Sequence, residues 1–148
     1  MTDEALKLEN QLCFALYACS REITKLYKPV LNELGITYPQ YISLLVLWEK
    51  DNITVKEMGH KLHLDSGTLT PLLRRLERIN LVKRIRDTVD ERNVYIKLTS
   101  EGIDLRKKAI GIPSKLLSST GLSLQSADLL KENVNSLLLC LTPSSKGK

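Results

Sequence analysis

The sequence predicts a mainly α-helical chain that contains one β-hairpin. Two observations predict this class. Apolar residues recur at helical spacing over most of the chain, and they alternate with polar residues only around residues 82–86 and 94–98. At 148 residues, the chain is long enough for one domain with a single hydrophobic core.

The composition limits the classes of protein to which the chain can belong. The formal net charge of +5 favours a polyanionic partner such as a nucleic acid. The three cysteines are an odd number without metal-type spacing, which indicates reduced thiols and a cytoplasmic location. No apolar run is long enough to span a bilayer, and the start of the chain is acidic, so we expect no membrane partner.

Residues 54–79 predict two helices joined by a tight turn. Thr54 and Glu57 match a capping box for the first helix, and Asp65 or Ser66 can cap the second. The second helix carries an apolar stripe of Leu69, Leu72, Leu73, Leu76 and Ile79. Its opposite side carries Gly67, Thr70, Pro71, Arg74 and Arg78. Such a helix suits the DNA major groove, although an ordinary amphipathic helix pair also fits this short pattern.

The start of the second helix is ambiguous because Pro71 lies inside it. Helix propensity alone would begin the helix at Thr70, with Pro71 at the first helical position. A start at Asp65 instead requires an irregular first turn.

The segment after Asn80 predicts two short strands around a charged loop. Val94, Ile96 and Leu98 alternate with polar residues in the second strand. The hairpin is rich in basic residues, namely Lys83, Arg84, Arg86, Arg92 and Lys97. A basic hairpin directly after a recognition helix is the wing of a winged helix-turn-helix, so this segment favours double-stranded DNA as the partner.

Apolar helical segments flank this region on both sides. The first covers residues 6–34, where Pro29 is expected to kink or end the helix, and a helix capped by Thr37 and Gln40 follows it. Thr99 or Ser100 is expected to cap a helix that bends near Gly111 and Pro113, and Ser123 to cap the last one. The tail, residues 142–148, is predicted to be disordered.

The flanking helices are too apolar for a small winged domain to cover. We therefore expect a homodimer in which residues 1–36 and 100–141, approximately, form an intertwined dimerisation domain. Residues 37–99, approximately, would form the DNA-binding region. Two recognition helices related by a two-fold axis would suit a pseudo-palindromic operator.

The whole chain resembles the MarR family of winged-helix repressors. More narrowly, it resembles the OhrR, MgrA and SarZ subgroup of thiol-based peroxide sensors. The segments that carry the resemblance are Gln11–Tyr17, Leu34–Tyr41, Leu64–Glu77 and Asp90–Arg92. The resemblance implies that the recognition helix starts near Asp65 despite Pro71.

The resemblance also implies roles for single residues. Cys13 matches the subgroup's redox-sensing cysteine, and Tyr27 and Tyr38 match tyrosines of the partner subunit that hydrogen-bond its sulfur. Tyr17 matches a third tyrosine near this site. On the DNA side, Arg92 matches an arginine inserted into the minor groove and oriented by Asp90. Ser66, Thr68, Thr70 and Arg74 match contacts to bases and phosphates, and the basic pattern adds Arg78, Arg84 and Arg86.

These roles imply a chemical switch. A thiolate is the reactive form of cysteine, and two phenol donors would stabilise it. The apolar neighbours Leu12, Phe14 and Leu16 would favour an organic hydroperoxide, which would oxidise Cys13 to a sulfenic acid and release the operator. The subgroup's two-cysteine members carry a resolving cysteine where this chain has Ser114, Ser118 and Ser119. A low-molecular-weight thiol is therefore the expected second reactant.

Several alternatives remain open from the sequence. The chain could be a MarR-type regulator controlled by a small ligand in the dimer cleft, or a thiol peroxidase that uses Cys13. The tyrosines could be ordinary core aromatics, and Cys19 is expected to pack in a core. Cys140 could reach a partner's Cys13 only if the last helix places it there. His60 and His63 lack further ligands, so we expect no metal and no cofactor.

Overall fold

The computed structural model describes residues 3–142. The described part contains two short 3-10 turns, Asp3–Leu6 and Leu8–Asn10, followed by helices and strands. The helices are α1 (Leu12–Leu34), α2 (Tyr38–Glu49), α3 (Val55–Leu62), α4 (Ser66–Arg78), α5 (Ser100–Ala109), α6 (Ile112–Thr120) and α7 (Leu124–Leu141). The strands are β1 (Ile53–Thr54), β2 (Val82–Arg86) and β3 (Val94–Leu98). Of the predicted disordered tail, residues 143–148 lie outside the described residues.

The chain divides into two compact units, and the first ends at Ile110. Helices α2, α3 and α4 pack together in this unit, and α4 also packs on β2. The predicted stripe of α4 is its buried face, since Leu69, Leu72, Leu73 and Leu76 are buried. Ile79 is the exception, because it lies one residue beyond the helix and is 44% exposed.

The wing is a three-stranded antiparallel sheet with the order β1-β3-β2. The predicted hairpin is confirmed, with Val82 opposite Leu98 and Arg86 opposite Val94. The third strand, β1, pairs Ile53 with Ile96 and was not predicted from the sequence. The mainly helical fold with a wing is therefore confirmed, and the sheet is larger than the hairpin alone.

The helix starts follow the predicted caps. Thr37 and Gln40 form a complete capping box at α2. Thr54 accepts a hydrogen bond from the amide of Glu57, but the Glu57 carboxylate contacts Lys50 at 3.2 Å, so the predicted box at α3 is only half formed. Asp65 caps α4 by accepting a hydrogen bond from the Thr68 amide at 2.7 Å.

The flanking helices differ from the expectations in two places. The α-helix α1 begins only at Leu12, after the 3-10 turns, and Pro29 does not end it, since the helix continues to Leu34. The bent helix expected near Gly111 is two separate helices, because α5 ends at Ala109 and α6 begins at Ile112, with Pro113 in its first turn.

The second unit, from Gly111 onward, contains α6 and α7. Ser123 caps α7 as predicted, by accepting a hydrogen bond from the Ser126 amide. None of the residues of α7 is buried, and its side chains include Leu124, Leu129, Leu130, Val134, Leu139 and Leu141. No helix within residues 3–142 is long and apolar enough to cross a membrane.

Candidate DNA-binding and thiol sites

The turn between α3 and α4 fixes where the recognition helix begins. His63 ends α3 in the left-handed conformation, with a φ of 55°, and the Leu64 amide donates to the Gly59 carbonyl at 3.0 Å. A Cβ atom at Gly59 would lie 2.8 Å from the Leu64 carbonyl oxygen, so a larger residue would push the turn away from α3. Gly59 therefore positions the site, and the sequence reading did not single it out.

The outer face of α4 carries the predicted DNA-contacting side chains. Ser66, Thr68, Arg74 and Arg78 are exposed, and Thr70 is half-buried. Hydrogen bonds from Thr68 lower the pKa of Asp65, which keeps the capping carboxylate charged. The start of α4 at Ser66 confirms the early start, so Pro71 is tolerated within the helix.

The wing tip holds Arg92 in a fixed geometry. Its Nε and Nη2 atoms donate to the two carboxylate oxygens of Asp90 at 3.0 and 3.1 Å, and its amide donates to Asp90 at 3.1 Å. The pair lowers the pKa of Asp90 and raises the pKa of Arg92. The Arg92 side chain remains 90% exposed. A rigid, exposed guanidinium at the tip of a wing can enter a DNA groove.

Two other predicted arginines lie on β2. Arg86 is exposed, and its Nη1 donates to the Glu91 carbonyl of the wing loop. Arg84 is half-buried, and its Nε is buried without a hydrogen-bond partner among the described residues. Arg84 is therefore the least accessible of the predicted DNA-contacting arginines.

Three tyrosines form a cluster where α1 meets α2. The ring centroids of Tyr27 and Tyr38 are 4.9 Å apart, and Tyr41 lies 5.7 Å from Tyr27 and 6.3 Å from Tyr38. Burial, and secondarily Tyr38, raises the pKa of Tyr27. Burial, followed by the neighbouring tyrosines, also raises the pKa of Tyr41. These two phenols therefore stay protonated and can act as hydrogen-bond donors over a wide pH range.

Cys13 is exposed near the start of α1, far from this cluster in the same chain. It precedes Tyr27 by fourteen residues on one helix, which corresponds to about 21 Å along the axis. Tyr17 lies one turn after Cys13, and the Arg21 guanidinium lies 5.6 Å from the centroid of its ring. The structure thus brings Tyr27 and Tyr38 together but does not bring them to Cys13 of the same protomer.

The expectation that Cys19 packs in a core is wrong for the single protomer. Cys19 is exposed, and Leu31, near the end of α1, is the one buried residue of this helix. Cys140 is exposed on α7. Among residues 3–142, no group of three or more potential ligand side chains could hold a metal ion.

A winged helix-turn-helix with a polar and basic recognition face defines a class of DNA-binding transcriptional regulators. Comparison with known proteins supports this class. The family described as transcriptional regulator SarA/Rot matches residues 25–109. The organic hydroperoxide resistance transcriptional regulator of Bacillus subtilis (strain 168) is 55% identical over 136 residues, covering 92% of this chain and 90% of that protein.

Two staphylococcal regulators agree with this assignment. The HTH-type transcriptional regulator SarZ of Staphylococcus saprophyticus is 38% identical over 138 residues, covering 93% of this chain and 94% of that protein. The structure of reduced AbfR bound to DNA, a protein of Staphylococcus epidermidis, superposes with a TM-score of 0.78 at 37% identity, covering 95% of this chain and 97% of that one. The chain belongs to the SarA/Rot family of MarR-like winged-helix transcriptional regulators. The predicted family and class, a DNA-binding regulator and not an enzyme, are confirmed.

Proposed function

We propose that the protein is a cytoplasmic, dimeric repressor that binds its operator while Cys13 is reduced and releases it when an organic hydroperoxide oxidises Cys13. The observation that carries this proposal is the position of Cys13 near the start of α1, about 21 Å along the helix axis from Tyr27 of the tyrosine cluster. Two such helices running antiparallel in a homodimer would bring Cys13 of each protomer to the tyrosines of the other. The similarity to the Bacillus subtilis organic hydroperoxide regulator supports the choice of oxidant.

The apolar surface of α1 supports such a pairing. Leu12, Phe14 and Ile23 are exposed in the protomer. Exposed large apolar side chains on one helix favour an interface. Leu12 and Phe14, which flank Cys13, would give it apolar neighbours, and these favour a hydroperoxide with a hydrocarbon tail over hydrogen peroxide.

The tyrosine donors would prepare the sulfur for oxidation. Phenol hydroxyls that donate to the Cys13 sulfur stabilise the thiolate, which is the nucleophilic form. The thiolate attacks the terminal peroxide oxygen, the O–O bond breaks, and the alkoxide leaves and takes up a proton to give an alcohol. The sulfur is oxidised to a sulfenic acid as the peroxide is reduced. A low-molecular-weight thiol then condenses with the sulfenic acid, forming a mixed disulfide with loss of water.

The DNA side of the proposal uses the recognition helix and the wing. Ser66, Thr68, Thr70 and Arg74 would contact bases and phosphates in the major groove, and Arg92 would enter the minor groove. Arg78, Arg84 and Arg86 would add contacts to phosphates. Oxidation would change the hydrogen bonds at Cys13, alter the spacing of the two recognition helices and lower the affinity for the operator.

The proposal is tested with Cys13→Ser, and with Cys19→Ser and Cys140→Ser as matched controls. The probe is a labelled duplex that the reduced wild-type protein selects from a random-sequence pool. We expect every variant to bind this duplex, and cumene hydroperoxide with a small thiol to release the wild type and both controls but not Cys13→Ser. Intact mass should show one small-thiol adduct, which is missing in Cys13→Ser.

Release of Cys13→Ser by the hydroperoxide would refute the role of Cys13. Release of all four proteins by a small aromatic ligand, without any change in mass, would favour the ligand-controlled alternative. Continuous consumption of peroxide by the wild type with a thiol reductant would instead favour the peroxidase alternative.

A further inference from the structure

We propose that Glu77 is a positioning residue for DNA binding, because its carboxylate ties the recognition helix to the wing and thereby aims Arg92. The inference rests on the proposed contact of Arg92 with the minor groove. Glu77 lies in the last turn of α4, and its Oε2 accepts a hydrogen bond from the Arg84 amide of β2 at 3.1 Å.

The contact satisfies one amide on the open edge of the wing sheet. β2 is an edge strand that pairs only with β3 among the described strands, so alternate amides of β2 point away from the sheet. The Arg84 amide is one of these, and the Glu77 carboxylate satisfies it. A hydrogen bond to a charged acceptor is stronger than one between neutral groups.

Glu77 makes this contact with the backbone and not with an arginine side chain. Within residues 3–142, Glu77 forms no ion pair, although Arg84 and Arg86 line a cavity of about 230 Å³ beside it. A carboxylate that merely balanced charge would lie against a guanidinium. The Glu77 carboxylate therefore fixes the position of the β2 backbone at Arg84.

Backbone hydrogen bonds also hold the chain between α4 and β2 next to Glu77. The Asn80 amide donates to the Glu77 carbonyl at 2.9 Å, and the Leu81 amide donates to the Leu76 carbonyl at 3.0 Å. Asn80 adopts the left-handed conformation, with a φ of 63°. The backbone and the side chain of Glu77 thus fix the end of the helix and the third residue of β2 together.

A series of hydrogen bonds connects β2, beyond Arg84, to Arg92 at the tip of the wing. The Arg86 guanidinium donates to the Glu91 carbonyl, and the Asp87 amide donates to the Asn93 carbonyl at 2.9 Å. The Asp90 carboxylate then holds the Arg92 guanidinium. A rotation of β2 relative to α4 would therefore move Arg92 with it.

Whether replacement of Glu77 weakens or strengthens DNA binding distinguishes a positioning role from a purely electrostatic one. A carboxylate beside a DNA interface repels phosphates, so removal of its charge alone would strengthen binding. Removal of the acceptor would release β2 and weaken binding if the carboxylate positions the wing. Glu77→Gln removes the charge but keeps an amide oxygen as the acceptor, whereas Glu77→Ala removes both.

The test measures the affinity of the reduced, full-length protein for the selected duplex by fluorescence anisotropy. We expect Glu77→Gln to bind at least as tightly as the wild type, and Glu77→Ala to bind roughly three- to tenfold more weakly, the effect of one such hydrogen bond. In an Arg92→Ala background, Glu77→Ala should cause a smaller loss of affinity than in the wild-type background, because Arg92 is gone and only the phosphate contacts of Arg84 and Arg86 remain to be displaced.

A loss of affinity in Glu77→Ala that is equally large in the Arg92→Ala background would show a general structural role and overturn the proposal. Tighter binding by Glu77→Ala would also overturn it. An Arg92→Ala variant with unchanged affinity would instead refute the DNA contact on which the inference rests. The two failures are therefore distinguishable.

Discussion

Tyr41 connects the two tyrosines that the family resemblance assigns to the thiol site. Its side chain is 2% exposed, and its ring lies beside both Tyr27 and Tyr38. Aromatic pairs at such distances prefer tilted geometries, and the three rings adopt them. We infer that the ring of Tyr41 packs against the rings of Tyr27 and Tyr38 and keeps them in place.

Replacement of this ring tests its role. Tyr41→Leu should destabilise the protein by about 2 kcal/mol, less than the loss of a whole aromatic side chain. It should also slow sulfenic acid formation at Cys13, because Tyr27 and Tyr38 lose their support. Tyr41→Phe keeps the ring and should react as fast as the wild type. The measurement is the rate of dimedone labelling after cumene hydroperoxide is added.

Tyr95, a half-buried tyrosine of β3, supplies the control. Tyr95→Leu should lower stability without changing the labelling rate. If Tyr41→Leu reacts at the wild-type rate, Tyr41 is a core aromatic and has no part in sensing. If Tyr41→Phe is as slow as Tyr41→Leu, the hydroxyl group rather than the ring is required.

The single residues of the thiol site were accessible from the sequence only through the family resemblance. Cysteine chemistry alone would interpret Cys13 as an inert buried thiol, the usual state of a free cysteine. The structure instead leaves Cys13 exposed in the protomer. Tyr27 lies on α1 and Tyr41 on α2, and no spacing rule shows that residues from two helices meet in one cluster.

At the level of elements, the recognition helix shows how a cap competes with a helix breaker. Pro71 lacks the amide hydrogen that a residue inside a helix donates, so it would favour a later start. Asp65 compensates by accepting a hydrogen bond from Thr68, and the early start lets Leu69 become fully buried. Local propensity could not decide this competition, because the burial of Leu69 depends on tertiary packing.

The cap makes the stability of this helix depend on pH. The Asp65 pKa is lowered from 3.8 by hydrogen bonds from Thr68. A carboxyl whose pKa is lower in the folded state contributes stability above its unfolded pKa, and this contribution is lost as the pH falls through the folded value. The wild type should therefore lose stability below pH 3.8, and Asp65→Asn should lose less over the same range.

Urea unfolding of both proteins at a series of pH values measures this difference. Asp128→Asn is the control, because Asp128 makes no side-chain hydrogen bond or ion pair within the described part of the chain. The control should follow the wild-type curve. Parallel curves for Asp65→Asn and the wild type would mean that the cap carries no pH-dependent stability.

Other elements lay beyond the reach of sequence patterns. The two residues of β1 are too few to show an alternation, and their partner Ile96 lies far along the chain. The hydrogen bond between Glu77 and Arg84 joins a side chain to a backbone amide, and no residue pattern in the sequence predicts such a contact. The hairpin was predictable because its pairing is local and its side chains alternate over five residues in each strand.

At the scale of the whole molecule, each unit leaves a large apolar surface uncovered. On α1, Leu12 is 66% exposed, and on α7, Leu130 is 50% exposed. Such surfaces are rarely stable in water on a monomer. A closed two-fold dimer would cover them, and it would also supply the partner tyrosines that Cys13 requires in the proposed mechanism.

Disruption of the α7 face tests both consequences of dimerisation at once. Leu130 and Val134 lie one turn apart on this helix and are exposed in the protomer. Glutamates at both positions would place charges in the interface, so the double variant Leu130→Glu/Val134→Glu should be monomeric in sedimentation experiments. Its affinity for the selected duplex should fall, because one protomer can contact only one half-site.

Oxidation of the monomeric variant then distinguishes tyrosines of the partner from tyrosines of the same chain. Cys13 should react more slowly with cumene hydroperoxide in this variant, because Tyr27 and Tyr38 of a partner are missing. Val89→Glu is the control, since Val89 is an apolar residue of the wing loop with 93% exposure. It should remain dimeric and react at the wild-type rate. A monomer that reacts as fast as the wild type would show that Cys13 needs no partner, and a double variant that stays dimeric would place the interface elsewhere.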